Sequence, residues 1–240
     1  MAEPQTDMGI SMTISPKAVQ FIIAQEDGDQ AYYDRTEAHF DWPGGASGPT
    51  VGVGYDLGYV KPMECSIDWT GIVDDATVKS LILAIGMTGE NAHVYVQQHR
   101  ADVTITWAQA VQEFTDRELP KWEARTAQAL PNYDLLSPDC AGALVSLAYN
   151  RGAAGFNSTL PRFREMLGIR DAMAGKNWVA IPGLIRSMAR LWPNVADLRR
   201  RRALEADLFA GGIPQCQSST SQSTSGSDSP SSSPPGSPPA

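Results

Sequence analysis

The glycine-rich segment 41–59 constrains the fold of this chain more than any other part of its sequence. After a turn rich in proline and glycine, apolar residues alternate with small or polar ones, namely Val51, Val53 and Tyr55 against Thr50, Gly52, Gly54 and Asp56. Alternate residues share one face of a β-strand, so one face can be buried while the other leaves the backbone nearly bare. Bare glycine backbone in a strand often marks the close approach of a ligand. We interpret this strip as the floor of a cleft, with an ordinary glycine-rich hairpin as the alternative.

Thr50 and Asp56 lie at the two ends of this strip. A fully extended strand would hold them about 20 Å apart. If both residues serve one site, the chain must turn near Gly54 or just after it.

The composition indicates one globular domain and predicts neither a metal nor a cofactor. With 240 residues and 42% hydrophobic content, the chain can bury one substantial core. Its three cysteines form no CxxC pair, which predicts synthesis in a reducing cytoplasm without a disulfide framework or a cysteine-type zinc site. The three histidines fit no metal-binding spacing. No signal peptide is visible, and the longest apolar runs are far shorter than the roughly 20 residues that span a bilayer.

The net charge of −8 is unevenly distributed along the chain. Residues 160–212 carry a net charge of +5, whereas the first 159 residues carry −12. The acidic first part argues against nucleic acid as the main partner. The densest basic run, residues 199–202, is interpreted as a solvated face, because four consecutive arginines on a helix point in several directions.

A helix is predicted to begin at Ser15-Pro16 and to end with a carboxylate. Serine caps the free N–H groups and proline suits the first helical position. The apolar face of this helix continues in line with Glu26, and Gly28 follows as a C-cap. Burial and the negative end of the helix dipole both favour the neutral form of a carboxyl group there, as a general acid requires. A Glu26 side chain that turns into solvent is the alternative.

The rest of the sequence predicts further helices. Start signals and apolar periodicity place them near residues 75, 90, 106, 138 and 160, and the helix after Ser137-Pro138 is expected to be the central buried one. Two last helices are expected over 182–192 and 194–208, whereas residues 29–40 and 61–73 are expected to be irregular. The predicted fold class is α+β, mostly helical, with a small β-hairpin lobe and a larger helical lobe. Residues 1–14 are predicted to be a flexible leader, 15–212 one domain, and the Ser/Pro-rich residues 213–240 a disordered tail.

Four motifs resemble those of the phage-type lysozymes, in the same order along the chain. Glu26, followed 24 positions later by Thr50-Val51-Gly52-Val53-Gly54, is similar to the E…T-[IV]-G-x-G pattern of these muramidases. Segments 143–152 and 155–160 resemble their next two motifs, and segment 198–209 resembles their C-terminal one. In the common phage enzymes an aspartate precedes the threonine, whereas here Asp56 follows Thr50 by six positions. That order resembles the pesticin-like branch of the superfamily.

The resemblance implies a lysozyme-like fold and a muramidase domain over residues 15–212. Such an enzyme cleaves the β-1,4 bond between N-acetylmuramic acid and N-acetylglucosamine in peptidoglycan. Glu26 is then the general acid, and Thr50 holds the attacking water. Asp56 is the implied ionised carboxylate, with Asp41 in reserve, and inversion of the anomeric centre is expected. Three further residues are expected to line the sugar-binding cleft: Tyr55, Asn150 and Trp192.

Two other functions fit the same sequence. A lytic transglycosylase needs one acid but no water-activating carboxylate, and a non-catalytic lysozyme-like module would bind peptidoglycan without cleaving it. The expected partners are peptidoglycan and a periplasmic immunity or inhibitor protein, with neither nucleic acid nor membrane insertion, and the chain is expected to be a monomer. A phage endolysin, a bacteriocin or an antibacterial effector would be made in the cytoplasm without a signal peptide. It would act on the cell wall in the periplasm after export or release.

Overall fold

The computed structural model describes residues 13–26 and 28–222, most of which are helical, with one small antiparallel sheet. The α-helices are α1 (Pro16–Glu26), α2 (Gln30–Thr36), α3 (Pro62–Trp69), α4 (Asp75–Leu83), α5 (Gly89–His99), α6 (Trp107–Glu113), α7 (Leu119–Ala129), α8 (Pro138–Arg151), α9 (Arg164–Ala174), α10 (Ile181–Ser187) and α11 (Ala196–Gln222). The strands are β1 (Thr50–Val51) and β2 (Tyr55–Asp56), and Phe114–Glu118 is a π-helical segment. The predicted class, α+β and mostly helical, is confirmed. Within the described residues, no helix is both long and apolar enough to cross a membrane.

The glycine-rich segment forms a tight hairpin. β1 pairs with β2 in an antiparallel register that places Thr50 opposite Asp56. The chain turns at Gly52 and Gly54, whose φ angles of 58° and 71° favour glycine, so the expected turn near Gly54 is confirmed. On its other side, Thr50 forms an antiparallel bridge with Asp41 through two backbone hydrogen bonds of 2.8 and 2.9 Å. Thr50 therefore lies between two aspartates whose side chains emerge on its own face of the sheet.

The central element is α8, as its apolar stripe predicts. Residues 140–148 of this helix are all buried, and it packs against α1, α7 and α11. Gly142 permits the contact with α1, because a Cβ at this position would lie 2.1 Å from Ala18 Cβ. The helix begins at Ser137, whose side chain accepts a hydrogen bond from Cys140 N. The domain is thus built around α8, with α1 pressed closely onto it.

Two helices occur where the sequence predicts irregular structure. The N-cap of α2 is Asp29, whose side chain accepts a hydrogen bond from Tyr32 N, but the helix buries only Tyr33. One buried side chain leaves no apolar period to detect. α3 begins with a proline, a start signal that the prediction missed, and buries Cys65, Asp68 and Trp69.

The last helix is longer than predicted. α11 extends to Gln222, whereas the prediction ended the helix at residue 208 and the domain at residue 212. Cys216 is fully buried, and its Sγ accepts a hydrogen bond of 3.1 Å from Ser137 N. The predicted domain boundary is therefore wrong for residues 213–222, because a buried cysteine anchors a turn that is otherwise polar. The rest of the predicted tail, residues 223–240, lies outside the described residues.

The predicted leader is described only at its end, since residues 1–12 lie outside the described part of the chain. Ile14 is 6% exposed and belongs to the core. Thr13 N donates a hydrogen bond of 2.9 Å to Glu123 Oε1 on α7. These two residues pack on the domain and do not belong to a flexible leader.

A chain that ends at Gly212 should be less stable than one that ends at Gln222. The shorter variant loses the buried Cys216 side chain and leaves Ser137 N without its acceptor, at a cost of about 2 kcal/mol. Its melting temperature should fall by about 4–8 °C. Truncation after Gln222 should change the melting temperature by no more than about 1–2 °C, because the removed residues are nearly all Ser, Pro and Gly. Circular dichroism melts of both variants and the full chain measure the difference, and equal values for the two truncations would contradict the anchoring role of Cys216.

Candidate functional site

Glu26 and Thr50 border the same cavity, which has a volume of about 370 Å³. Glu26 is the last residue of α1, and Thr50 is the first residue of β1. The Glu26 side chain is 20% exposed, so its carboxyl group reaches the cavity from a largely buried position. Other residues complete the wall of this cavity, among them Tyr32, Glu37, Asp41, Pro43 and Gly54.

Asp41 and Glu37 are the other carboxylates that line this cavity, and Asp41 is the one paired with Thr50. The bridge to Thr50 fixes the Asp41 backbone, and the Asp41 side chain is 44% exposed. Arg100 Nη1 lies 3.5 Å from Asp41 Oδ1 and donates a hydrogen bond of 2.9 Å to Phe40 O. A second nitrogen of Arg100 donates to Thr36 O at 2.6 Å. The arginine therefore fastens the chain before β1 and keeps a positive charge beside Asp41.

Asp56 lies on the other side of Thr50 and lines a neighbouring cavity of about 360 Å³. Its Oδ1 accepts hydrogen bonds from Gly48 N at 2.9 Å and from Gly58 N at 2.8 Å. These two bonds tie together the chain segments on either side of the hairpin. The sequence favoured Asp56 as the partner of Glu26. In the structure Asp41 borders the same cavity as Glu26 and Asp56 borders the next one, because the two aspartates pair with opposite edges of β1.

Three cavities adjoin one another, and we call them together the groove. Gly54 borders the first two, and the second shares Trp122 and Arg125 with a third cavity of about 420 Å³. The Arg125 guanidinium lies 4.8 Å from the centre of the Trp122 ring. On the floor of the groove, Tyr149 of α8 donates a hydrogen bond of 3.0 Å to Val53 O and so supports the hairpin. An elongated groove with aromatic and charged walls suits a chain-like ligand better than a compact one.

Of the three residues predicted to line the sugar-binding cleft, Tyr55 borders the groove, whereas Asn150 and Trp192 lie elsewhere. Tyr55 borders the second cavity but is only 4% exposed, and its hydroxyl donates to Asp68 Oδ2 at 2.8 Å, so its aromatic face belongs to the core. Asn150 is exposed on α8 and lines none of the three cavities. Trp192 lies outside them too, with the guanidiniums of Arg151 and Arg202 within 5.0 and 5.7 Å of its ring centre. The other aromatic residues that border the groove are Tyr32, Tyr59, Trp122 and Tyr149, of which Tyr149 lies in motif 143–152 and Tyr59 ends the glycine-rich segment.

A buried ion network holds Glu26. Arg201 Nη1 on α11 lies 2.6 Å from Glu26 Oε1, and Arg201 Nε lies 3.2 Å from Glu205 Oε1. Glu26 Oε1 accepts no well-aligned hydrogen bond, so its contact with Arg201 is an ion pair. Glu205 Oε1 also accepts hydrogen bonds of 2.8 Å from Ser146 Oγ and from Arg202 Nη2. The carboxyl group predicted to be the acid is thus attached to the core through α11.

The interpretation of residues 199–202 as a solvated face is wrong for two of the four arginines, since Arg201 and Arg202 are buried. Burial lowers the pKa of Arg202 to about 10. Full burial raises the pKa of Glu205, and the two arginines oppose that rise. Arg201 places its guanidinium 2.6 Å from the carboxyl group of Glu26 at the end of α1. This pair could not be predicted from the sequence, because its members are 175 positions apart.

Similarity to known proteins adds little to this geometry. Residues 18–121 match the model of a family described as a domain of unknown function (DUF8812). The match covers less than half of the chain and includes Glu26, Asp41, Thr50 and Asp56. No curated protein matches the chain. An assignment of function therefore depends on the residues that border the groove.

Replacement of Arg201 by methionine should lower the free energy of unfolding by about 3–5 kcal/mol, because it leaves buried Glu205 with less positive charge and Glu26 with none. Arg199→Met is the matched control, since Arg199 is exposed on the same helix and its replacement should change stability by no more than about 0.5 kcal/mol. Urea denaturation of both variants measures the two values. A loss in Arg201→Met no larger than that of the control would show that the network contributes little to stability.

Proposed function

We propose that this chain is a muramidase with a lysozyme-like fold, which hydrolyses the β-1,4 bond between N-acetylmuramic acid and N-acetylglucosamine in peptidoglycan. The observation that carries the proposal is the cavity bordered by Glu26, Asp41 and Thr50 within a long groove. Glycoside hydrolysis uses two carboxyl groups that flank the scissile bond. Here the two groups come from different elements, α1 and the segment before β1. The similarity of the sequence motifs to those of phage-type lysozymes supports the same reaction.

Glu26 is the proposed general acid, which protonates the glycosidic oxygen as the bond breaks. Arg201 holds the carboxyl group in place at the edge of the cavity. Glu205 also contacts Arg201, so the guanidinium is shared between the two glutamates. In this arrangement Glu26 is fixed in position at the edge of the cavity.

Asp41 and Thr50 are proposed to position and activate the attacking water. The backbone bridge holds the two residues side by side. Thr50 Oγ1 donates its proton to Gly48 O at 3.2 Å, which leaves the lone pairs of the hydroxyl to accept a hydrogen bond from water. The exposed carboxylate of Asp41 then accepts the second proton of that water. Asp56 is assigned a positioning role, since it fixes the segments that flank the hairpin.

The proposed substrate determines where the protein acts and with what it interacts. Peptidoglycan is the proposed partner, and the bacterial cell wall reached from the periplasm is the proposed site of action. A periplasmic inhibitor protein that occupies the groove would protect the producing cell. The reaction itself needs two carboxyl groups and water, with no cofactor.

Glu26→Gln should abolish lysis of purified peptidoglycan while the protein remains folded. Loss of a general acid typically reduces the rate by about 10²–10⁴-fold. Glu90→Gln serves as the control, because the Glu90 side chain is 78% exposed on α5, away from the groove. Turbidity loss measures the activity of both variants. A folded Glu26→Gln protein with more than a tenth of the wild-type rate would overturn the assignment of the acid.

The chemical nature of the product separates the proposed hydrolase from its alternatives. Hydrolysis leaves a reducing N-acetylmuramic acid end, whereas a lytic transglycosylase leaves an anhydro sugar, and a binding module leaves the polymer intact. Mass spectrometry of the digested peptidoglycan distinguishes the three. The sequence-based expectation of inversion stays a prediction, and the fresh product should then be the α anomer by proton NMR.

Asp41→Asn should lose about 10²–10⁴-fold in rate, because an amide cannot act as the general base. Asp56→Asn should remain close to wild type, since its amide oxygen can still accept hydrogen bonds from Gly48 N and Gly58 N. Asp56→Ala removes that acceptor and should lower the melting temperature as well as the activity. An inactive Asp56→Asn protein beside an active Asp41→Asn protein would return Asp56 to the catalytic role.

A further inference from the structure

A second group of carboxylates lies inside the protein and has no part in the proposed reaction. Asp68 of α3, Glu113 at the end of α6 and Glu118 in the π-helical segment each place one carboxylate oxygen within 4.8 Å of the others. Asp68 and Glu113 are 2% and 0% exposed. Tyr55 OH donates to Asp68 and so joins this group, which we call the acidic cluster, to β2 of the hairpin.

Glu113 is the residue of this cluster that lacks a partner. Neither of its carboxyl oxygens accepts or donates a hydrogen bond, although the side chain is fully buried. Burial, followed by the charges of Glu118 and Asp68, raises the pKa of Glu113 to about 9, against the weaker opposing effects of Lys121 and Arg117. A buried carboxyl group without a partner costs free energy, so its retention points to a ligand that completes it.

The π-helical segment brings the two glutamates together. Pro120 has no N–H to continue an α-helical pattern, and its ring would clash with the carbonyl of residue 116. The chain widens by one residue instead, and Leu119 N donates to Phe114 O, five positions back. Glu118 therefore occupies, relative to Glu113, the place that an i+4 residue has in an α-helix. Single π-turns of this kind are frequent at functional sites.

The ammonium group of Lys121 offsets only part of the negative charge of the acidic cluster. Lys121 Nζ lies 2.7 Å from Asp68 Oδ2 and 3.3 Å from both Glu118 Oε2 and Glu64 Oε1. These contacts leave the oxygens of Glu113 without a bond. Lys121 thus contacts three of the four carboxyl groups and leaves the fourth, Glu113, without a hydrogen bond.

We propose that Asp68, Glu113 and Glu118 bind one Ca²⁺ ion. Carboxylate oxygens are the ligands that hard cations take, and Ca–O distances of about 2.3–2.6 Å suit oxygens up to about 4.8 Å apart. Mg²⁺ requires near-ideal octahedral geometry at about 2.1 Å and keeps several waters, for which the packing around fully buried Glu113 is unsuited.

The ion can reach the acidic cluster from two sides. Asp68 borders a surface cavity of about 330 Å³ together with Lys61, Met63 and Lys121. Glu118 borders the second cavity of the groove. Lys121, whose side chain is 28% exposed, can move outward with Glu64 and release the position that its ammonium group occupies. Through Asp68 and Tyr55, the bound ion would hold the hairpin against α3 and the π-helical segment.

The test measures stability and metal binding, so it does not depend on muramidase activity. The full-length protein is stripped with EDTA and melted with and without CaCl₂. At a Ca²⁺ concentration 100 times Kd, the melting temperature should rise by about 5–10 °C. Tb³⁺, a luminescent Ca²⁺ analogue, should show emission sensitised by Tyr55 that CaCl₂ abolishes. The absence of any Ca²⁺-dependent shift would overturn the proposal and leave Glu113 as a buried neutral acid, and an equal shift with MgCl₂ would overturn the choice of Ca²⁺.

Variants locate the ion. Glu113→Gln and Glu118→Gln should each lose the Ca²⁺-dependent shift, whereas Lys121→Met removes a competing cation and should bind Ca²⁺ about tenfold more tightly or better. Glu123→Gln is the matched control, a largely buried glutamate that is bound to Thr13, and it should keep the full shift. If Glu113→Gln does not fold, the results for Glu118→Gln and Lys121→Met decide whether the ion binds at the acidic cluster. A shift that survives in Glu118→Gln, with unchanged affinity in Lys121→Met, would place the ion elsewhere and refute the assignment.

Discussion

The contact of α1 with α8 at Gly142 determines where the candidate site can lie. Because Gly142 has no Cβ, Ala18 packs directly on the backbone of the central helix. Glu26 follows Ala18 by eight residues, about 12 Å along the axis of α1, and emerges beside α11. The same helix α8 supports the hairpin through Tyr149 and anchors Glu205 through Ser146. One buried helix therefore fixes Glu26, the strand that begins with Thr50, and the arginine that holds Glu26.

Two groups of buried charges among the described residues differ in how well their charges are balanced. In the first, two arginines of α11 face Glu26 and Glu205, so the chain itself supplies the counter-charge. In the second, Lys121 contacts three carboxylates, and Glu113 has no hydrogen bond. Desolvation raises the free energy of buried charges that lack enough counter-charge. The acidic cluster, and not the arginine network, therefore points to a ligand from outside. The hairpin lies between the two groups and contacts the second through Tyr55.

Sequence analysis predicted the parts of this fold that depend on local patterns. The start of α1, the helix near residue 106 and the buried stripe of α8 are all present, because caps and apolar periods act within one or two turns. α2 was missed because it buries one side chain, and the end of α11 was missed because a single buried cysteine anchors a polar stretch.

The residues of the candidate site likewise divide into those that local patterns predict and those that depend on distant contacts. A glycine-rich strip next to a threonine indicated the hairpin, and the position of Glu26 at a helix end followed from its period. The choice between Asp41 and Asp56 depends on strand pairing, and the role of Arg201 depends on a contact across most of the chain, so neither follows from spacing. The acidic cluster was invisible for the same reason, since α3 and the π-helical segment meet only in the folded protein.

The π-helical segment Phe114–Glu118 has a consequence for how this protein can change in length. A single deletion there would remove the extra residue of the turn, but Pro120 would still lack the N–H that an ordinary α-helical turn needs. The deletion would also rotate every side chain of α7 by about 100° relative to α6. Trp122 and Arg125 would then leave the groove and Glu123 would leave Thr13. The segment therefore tolerates replacement of its exposed side chains far better than the loss of one residue. Its length, more than its amino-acid composition, is the property to compare among relatives.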